Sequence, residues 1–227
     1  MILLARAAEL QRCVQLLTLD TVVNTAAESY VSLHTIIGMW PNLRALNLKH
    51  TELNDLPPSI EALTALEVLN ATSNNLAGVP NAIGGLTKLK ELSFSSNQLS
   101  SVPESIGNLR LLTELSLNSN QLAQLPPTIG RLSLLTRPHV GGNRLTQLTD
   151  SIGNLRALTR LMVGGNQLSQ LPESLGRLQA LTFLDASGNW MPTLPDSIGE
   201  LAGLQSLNLQ QNRLSRLPEP MGKLTLK

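Results

Sequence analysis

Residue types that could perform chemistry are few and scattered in this sequence. The three histidines, His34, His50 and His139, lie far apart, and no two have the spacing of paired metal ligands. The single cysteine, Cys13, is accompanied by no histidine or aspartate, which favours a small buried hydrophobic residue over a nucleophile. Gly-x-Ser-x-Gly and His-Glu-x-x-His motifs are absent from the sequence. We therefore expect no catalytic residue, no metal site and no cofactor within these residues.

Two glycine pairs resemble phosphate-binding loops only superficially. They occur in Val140-Gly-Gly-Asn143 and Val163-Gly-Gly-Asn166, and neither is followed by the Lys-Ser/Thr of a P-loop. Both pairs fall at the same place in a repeated unit, which indicates ordinary turns.

The composition excludes several classes of protein. Leucine occupies 50 of the 227 positions, a content too apolar for a disordered chain. The 17 Lys+Arg and 16 Asp+Glu give a net charge of +1, without the basic footprint of a nucleic-acid binder. No apolar run reaches the ~18 residues of a membrane span, and the first residues do not form a secretory signal. We expect no membrane or nucleic-acid partner, and either an intracellular, cytoplasmic location or secretion by a bacterium into a host cell.

A period of 23 residues dominates the sequence from Leu43 to Leu226. The eight units, numbered one to eight below, begin at Leu43, Leu66, Leu89, Leu112, Leu135, Leu158, Leu181 and Leu204. Within each unit, positions 1, 4, 6, 11, 14, 18 and 21 are apolar, with Pro138 as the exception. Proline removes a backbone donor from a strand, so we expect disturbed strand pairing in unit five.

The other recurring positions have separate physical meanings. The apolar pair at positions 4 and 6 has the two-residue period of a short strand with one buried face. Asparagine at position 9 donates and accepts at once, so a stacked column can satisfy buried turn backbone. Proline at position 15 suits the first turn of a short helix, and glycine at position 19 is expected to break it. Such a unit cannot bury its own apolar edge, so the units must stack.

The pattern resembles the leucine-rich repeat family. The run LTELSLNSNQLAQLPPTIGRL from Leu112 to Leu132 matches the 23-residue, proline-containing LPxxIGxL subtype throughout. The resemblance implies an α/β fold: a right-handed solenoid, or horseshoe, with a concave parallel β-sheet and short helical or 3-10 convex segments. It covers residues 43–227, which we assign to eight repeats.

Residues 1–42 are predicted to form an N-terminal helical cap and a degenerate half-repeat. The helix is indicated by apolar residues at helical spacing: Leu3, Leu4, Ala7, Leu10, Val14 and Leu17. Leu33, Ile37 and Trp40 lie one period before core positions of unit one, whereas the strand positions Val23 and Thr25 are weak.

The other end carries no polar cap in this sequence, because Lys227 directly follows unit eight. We expect either that the natural protein continues or that another molecule covers this end, with self-association through the uncapped C-terminal end as one such interaction.

Positions 3, 5, 7 and 8 are predicted to face outward from the concave sheet. Most are small and polar, but the middle and C-terminal units place residue types there that anchor protein contacts. The candidate partner-binding residues on this concave face are Glu114, Arg137, His139, Arg160, Met162, Phe183 and Asp185. Alternatively, Glu114 and Arg137 merely pair laterally and the surface is ordinary. Trp190, at position 10, is a secondary candidate that is either exposed or packed on its neighbour.

The resemblance implies a protein-interaction module that binds another protein and is not itself an enzyme. The even use of Arg, Gln and Ala resembles bacterial effectors, in which such a domain selects the host target. A separate domain outside this chain, often a ubiquitin ligase, then performs the chemistry. The alternative is a free-standing intracellular scaffold that regulates small-GTPase or kinase signalling.

Overall fold

The computed structural model describes residues 16–18, 33, 37 and 40–224, and within them one parallel sheet contains nine strands in chain order. The strands are β1 Leu16–Thr18, β2 Ala45–Asn47, β3 Val68–Asn70, β4 Glu91–Ser93, β5 Glu114–Ser116, β6 Arg137–His139, β7 Arg160–Met162, β8 Phe183–Asp185 and β9 Ser206–Asn208. From β2 onward each paired residue lies opposite the residue 23 positions later, as in Ala45 opposite Val68. The repeat period therefore sets the strand register, and the predicted solenoid with a concave sheet is confirmed.

A short 3-10 helix follows each strand from β2 onward and forms the convex side. These helices are η1 Pro58–Ala62, η2 Asn81–Gly85, η3 Glu104–Asn108, η4 Pro127–Arg131, η5 Asp150–Asn154, η6 Glu173–Arg177, η7 Asp196–Glu200 and η8 Glu219–Lys223. The recurring proline lies just before each helix, not inside its first turn, and its carbonyl accepts the first helical bond, as in Ile60 N to Pro57 O at 3.0 Å. In unit five Thr149 replaces this proline, and its side chain caps the helix by accepting from the Ser151 amide.

Glycine at position 19 does not break the helix, contrary to the sequence-based expectation. Gly130, for example, lies within η4. A Cβ atom placed there would lie 2.4 Å from the carbonyl oxygen of Ser151 in the next helix. Glycine is therefore needed because the helices of successive units approach each other too closely for a side chain.

The core is a continuous column of apolar side chains between the sheet and the helices. In units one to seven every predicted apolar position is buried, Pro138 included, apart from the half-buried Val79. In unit eight Leu204 is buried but Leu217 is 57% exposed. Burial of this kind contributes about 25 cal/mol per Å² of apolar surface, so the repeat leucines supply most of the driving force for stacking.

The asparagines at position 9 form a buried ladder that joins successive units. The Nδ2 of Asn120 donates to the carbonyl oxygens of Phe94, at 2.9 Å, and Leu117, at 3.0 Å. Its Oδ1 accepts from the amide of Leu99 at 3.0 Å. The same pattern recurs at Asn74, Asn97, Asn143, Asn166, Asn189 and Asn212. The predicted role of this column is confirmed.

Pairing is reduced at Pro138, as expected. Strands β6 and β7 share a single residue pair, His139 with Met162, whereas β7 and β8 share three. Proline has no amide hydrogen to donate, so one bond of the ladder is missing. The side chain is nevertheless buried at its core position.

The prediction of a helix extending through Leu17 is wrong, because Leu16–Thr18 form strand β1. This strand pairs with Ala45–Asn47 and so lies 29 residues before them, six more than one repeat. A parallel strand here supplies partners to the backbone groups at the edge of β2, which explains why it outweighs helical spacing. Leu33 and Ile37 are helical and buried, as the half-repeat predicted. The remaining predicted cap residues, Cys13 and the weak strand positions lie outside the described residues.

Candidate functional site

The candidate residues occupy four adjacent strands, β5 to β8, on the concave face. In β5 to β8 the middle residue is buried and its two neighbours are not, because alternate residues of a strand face opposite sides. The register then sets Glu114 opposite Arg137, His139 opposite Met162, Arg160 opposite Phe183, and Met162 opposite Asp185. All seven predicted residues therefore form one continuous surface, called the concave patch below.

Two lateral contacts order the charged residues of the concave patch. Arg137 Nη1 lies 3.1 Å from Glu114 Oε1, with both side chains about half exposed at 56% and 47%. An exposed ion pair of this kind contributes roughly 0–1 kcal/mol. The guanidinium carbon of Arg160 lies 4.4 Å from the centroid of the Phe183 ring, a cation–π contact. The alternative interpretation is thus correct in that Glu114 and Arg137 pair, but Arg160 and Phe183 form a second, adjacent feature.

A hollow of about 300 Å³ opens beside these contacts. It is lined by Asn118, His139, Gly141, Met162, Gly164, Asp185 and Ser187. Its floor consists of Gly141 and Gly164 at position 7, where other units carry Lys, Thr, Ser, Asn or Gln. The hollow exists because two adjacent units lack a side chain at that position.

The next glycine of each pair has a different role. Gly142 and Gly165 adopt φ values of 64° and 65°, in the left-handed region. Position 8 has the same conformation in other units, as in Ser96 and Ser119. This is the repeat turn that the sequence predicted.

Burial lowers the pKa of His139, and this is the largest influence on it. Glu114 opposes this effect, and Arg160 and Arg137 add smaller lowering effects. The imidazole is therefore neutral at neutral pH. The polar groups of the hollow are then one neutral imidazole, one carboxylate, an amide and a hydroxyl.

Sequence reasoning missed the part that glycines play in this site. The sequence predicts Gly141 and Gly164 only as turn residues, and Asn118 is one of the small polar residues at position 7 to which it assigns no role. The signal that could have identified them was the column at position 7, because a missing side chain matters only when its neighbours in the column are compared.

Trp190 is 48% exposed, which is one of the two alternatives that the sequence left open. The guanidinium carbon of Arg213 lies 5.2 Å from the centroid of its ring. Trp190 is not among the residues that line the hollow. Trp190 and Arg213 therefore form a separate contact beyond the end of β8, outside the concave patch.

The residues at position 2 of successive units form a column that is charged in units one to three and threonine in units four to seven. In units one to three Glu67 bridges Arg44 and Lys90, and its hydrogen bonds to Lys90 and Arg44 lower the pKa of the carboxyl group. In units four to seven the column is threonine, and each hydroxyl donates to the carbonyl one unit earlier, as in Thr136 Oγ1 to Thr113 O at 3.0 Å. The strands that carry the concave patch are therefore joined by the side chains that immediately precede them.

A larger groove, about 720 Å³, lies away from the concave patch. It follows the segments before the 3-10 helices in units four to seven, and includes Gln124, Gln147 and Gln170. Repeat-defining residues such as Leu171 and Pro172 line it. Its lining combines these repeat-defining residues with glutamines that occur at the same position in three units, whereas the hollow depends on residues specific to two units.

Within residues 40–224 and the few described before them, no helix is long and apolar enough to cross a membrane. Among the same residues, no group of three or more His, Cys, Asp or Glu could hold a metal ion.

The fold, the register and the asparagine ladder define a class of repeat protein, and the family comparison agrees. The family described as "Leucine-rich repeat region" matches residues 7–121, just over half of the chain. Single leucine-rich repeats match residues 111–132 and 203–224. The chain belongs to the leucine-rich repeat family. No curated protein sequence matches it significantly.

Solved structures from bacteria and plants share this architecture. A leucine-rich repeat protein of Leptospira interrogans is 30% identical, with a TM-score of 0.79 over 97% of this chain and 61% of its own length. The functional domain of InlJ from Listeria monocytogenes is 25% identical, with a TM-score of 0.71 over 83% of this chain and 39% of that one. The Arabidopsis receptor kinase HAESA, solved with the peptide hormone IDA and the co-receptor SERK1, is 28% identical, with a TM-score of 0.70 over 79% of this chain and 31% of that one. The chain thus spans less than two thirds of each of these proteins.

Leucine-rich repeat domains of this kind commonly serve as protein-interaction modules.

Proposed function

We propose that the concave patch binds a partner protein. The observation that carries this proposal is the continuity of the seven residues across β5 to β8, beside a hollow that the repeat pattern does not require. Arg, Met, Phe and His are residue types that concentrate binding energy at protein interfaces. The neighbouring units one to three carry mainly small polar residues at the same positions, for example Ser93 and Ser95.

Arg160 and Phe183 are the proposed anchors of this interface. Their contact holds a planar cation on an aromatic ring, so both side chains lose little conformational freedom when a partner binds. Neither side chain belongs to the apolar core, so truncating them leaves the fold intact.

The test starts from peptides selected on the intact protein from a displayed library of random sequences. Truncation of two anchors, Arg160→Ala with Phe183→Ala, is expected to weaken binding by at least ~2 kcal/mol. The control variant, Ser73→Ala with Ser96→Ala, alters polar residues of units two and three and should change the affinity little. Equal losses in the two double variants, or no loss in the first, contradict the proposal.

We propose that, in its biological role, this chain is the target-recognition domain of a bacterial effector whose catalytic domain lies outside it. Support comes from the similarity to the Leptospira interrogans protein over almost the whole of this chain. An intracellular scaffold that regulates small-GTPase or kinase signalling is the second hypothesis. The full-length gene distinguishes them: a ubiquitin ligase or other catalytic domain downstream favours the effector, and a capping repeat followed by a stop favours the scaffold.

A further inference from the structure

The carboxylate of Asp185 is held in the hollow with one oxygen unused. Its Oδ1 accepts hydrogen bonds from the Ser187 amide at 3.0 Å and the Ser187 hydroxyl at 2.6 Å. In the described part of the chain, Oδ2 has no hydrogen-bond donor and Asp185 has no ion-pair partner. Ser187 therefore fixes the orientation of a charged group whose second oxygen is available to a ligand.

The nearby cations of the concave patch are engaged elsewhere. Arg137 pairs with Glu114, and Arg160 lies over the ring of Phe183. His139, which lines the hollow directly, is neutral at neutral pH because burial lowers its pKa. Among the described residues that line the hollow, Asp185 is thus the only formally charged one.

The shape of the hollow suits a long side chain with an apolar stem. Gly141 and Gly164 leave the floor at the level of the backbone, and Met162 offers a flexible thioether at its side. Lysine and arginine have an apolar stem of this kind below their charged group. A charged tip that pairs with an oriented carboxylate makes a stronger hydrogen bond than a neutral one.

We propose that the hollow takes a positively charged side chain of the partner protein, a lysine or an arginine, which pairs with Asp185. This inference rests on the proposed function, since it names the chemistry that the same surface recognises. Asp185 is then the residue that determines specificity, and Arg160 with Phe183 supply contacts around it.

The experiment uses the peptides selected from the random library on the intact protein. Their affinities are measured for the wild type and for Asp185→Asn, which keeps the shape and the acceptor for Ser187 but removes the charge. Asp196→Asn, the same substitution on the exposed first residue of η7, is the matched control. Replacing each Lys or Arg of a peptide by Gln gives the complementary change and does not depend on the folding of a protein variant.

We expect the selected peptides to share a Lys or Arg, and Asp185→Asn to weaken their binding about tenfold or more. Asp196→Asn should leave the affinity within about twofold, as surface changes away from an interface do. Replacing the shared basic residue of the peptide by Gln should weaken its binding to the wild type and to Asp196→Asn by the same factor. The same replacement should weaken its binding to Asp185→Asn far less.

Two other outcomes separate the claims. Peptides that lose binding on Arg160→Ala with Phe183→Ala, but not on Asp185→Asn or on loss of a basic residue, overturn this inference and leave the proposed function standing. Peptides that are indifferent to all of these changes overturn both.

Discussion

The side chain of Asn120 donates a hydrogen bond to the carbonyl oxygen of Phe94, which precedes it by 26 residues, at a distance of 2.9 Å. This bond joins one unit to the unit before it, and Asn120 also accepts from Leu99. Each asparagine of the ladder therefore satisfies backbone groups of two units at once. Stacking and turn formation are coupled through a single side chain.

Asn120→Ala is expected to destabilise the protein by about 2–5 kcal/mol. The substitution leaves the Leu99 amide unpaired in the interior, which costs about 1–3 kcal/mol. It also removes one hydrogen bond from each of the Phe94 and Leu117 carbonyl oxygens, at about 0.5–1.5 kcal/mol each, although Asn97 and Asn143 still donate to them. Urea unfolding gives the measurement. The control Gln121→Ala, at the exposed neighbouring position, should change the free energy of unfolding by less than about 0.5 kcal/mol. Similar losses in both variants would refute the ladder's role.

Gly130→Ala and Gly78→Ala should have opposite effects on stability. An alanine Cβ at position 130 would clash with the backbone of Ser151, and overpacking typically costs about 1–3 kcal/mol. At Gly78 a Cβ would meet nothing within 4 Å, so the lower entropy of the unfolded chain should stabilise the protein by about 0.4–1 kcal/mol. The melting temperatures of the two variants, compared with that of the wild type, test this prediction. A stabilised Gly130→Ala would show that the helices are not closely stacked.

The lowered pKa of His139 makes a part of the stability depend on pH. The unfolded chain, with an ordinary value near 6.5, binds protons more readily than the folded protein. This contribution is fully present above that value and is lost as the pH falls. The free energy of unfolding of the wild type relative to His139→Gln should thus decrease between about pH 8 and about pH 5.5. Parallel curves for the two proteins would mean that the imidazole is not desolvated. The lowered pKa of Glu67 acts below its ordinary value of 4.5, so it does not enter this window.

Leu117→Asp should destabilise the protein by several kcal/mol, because it places an unpaired charge in the buried column. Ser116→Asp, one residue earlier on the concave face, is the control and should have a small effect. A melting temperature of Leu117→Asp equal to that of the control would show that the assigned register is wrong.

The sequence predicts the repeating part of the fold because each recurring position has one dominant physical cause. Leucines at fixed spacing, the asparagine column and the disturbed pairing at Pro138 are examples, and all appear in the structure. Strand β1 was missed because its 29-residue offset from β2 breaks the period. The glycine contacts were missed because the distance between successive helices is a property of stacking, which no single unit specifies.

The sequence predicts which residues of the candidate site lie side by side on neighbouring strands. The register alone places His139 beside Met162 and Arg160 beside Phe183. The cation–π contact depends on side-chain rotamers, and the hollow depends on side chains that are missing at Gly141 and Gly164. The rotamers cannot be obtained from the spacing of residue types, and the missing side chains are apparent in the sequence only when the position-7 residues of successive units are compared.

Backbone amide NMR during titration with a selected peptide tests the central claim most directly. If the concave patch is the binding surface, the largest shift changes should fall on residues 137–141, 160–164 and 183–187. Changes concentrated on the 3-10 helices, or along the groove that contains Gln124, Gln147 and Gln170, would contradict it.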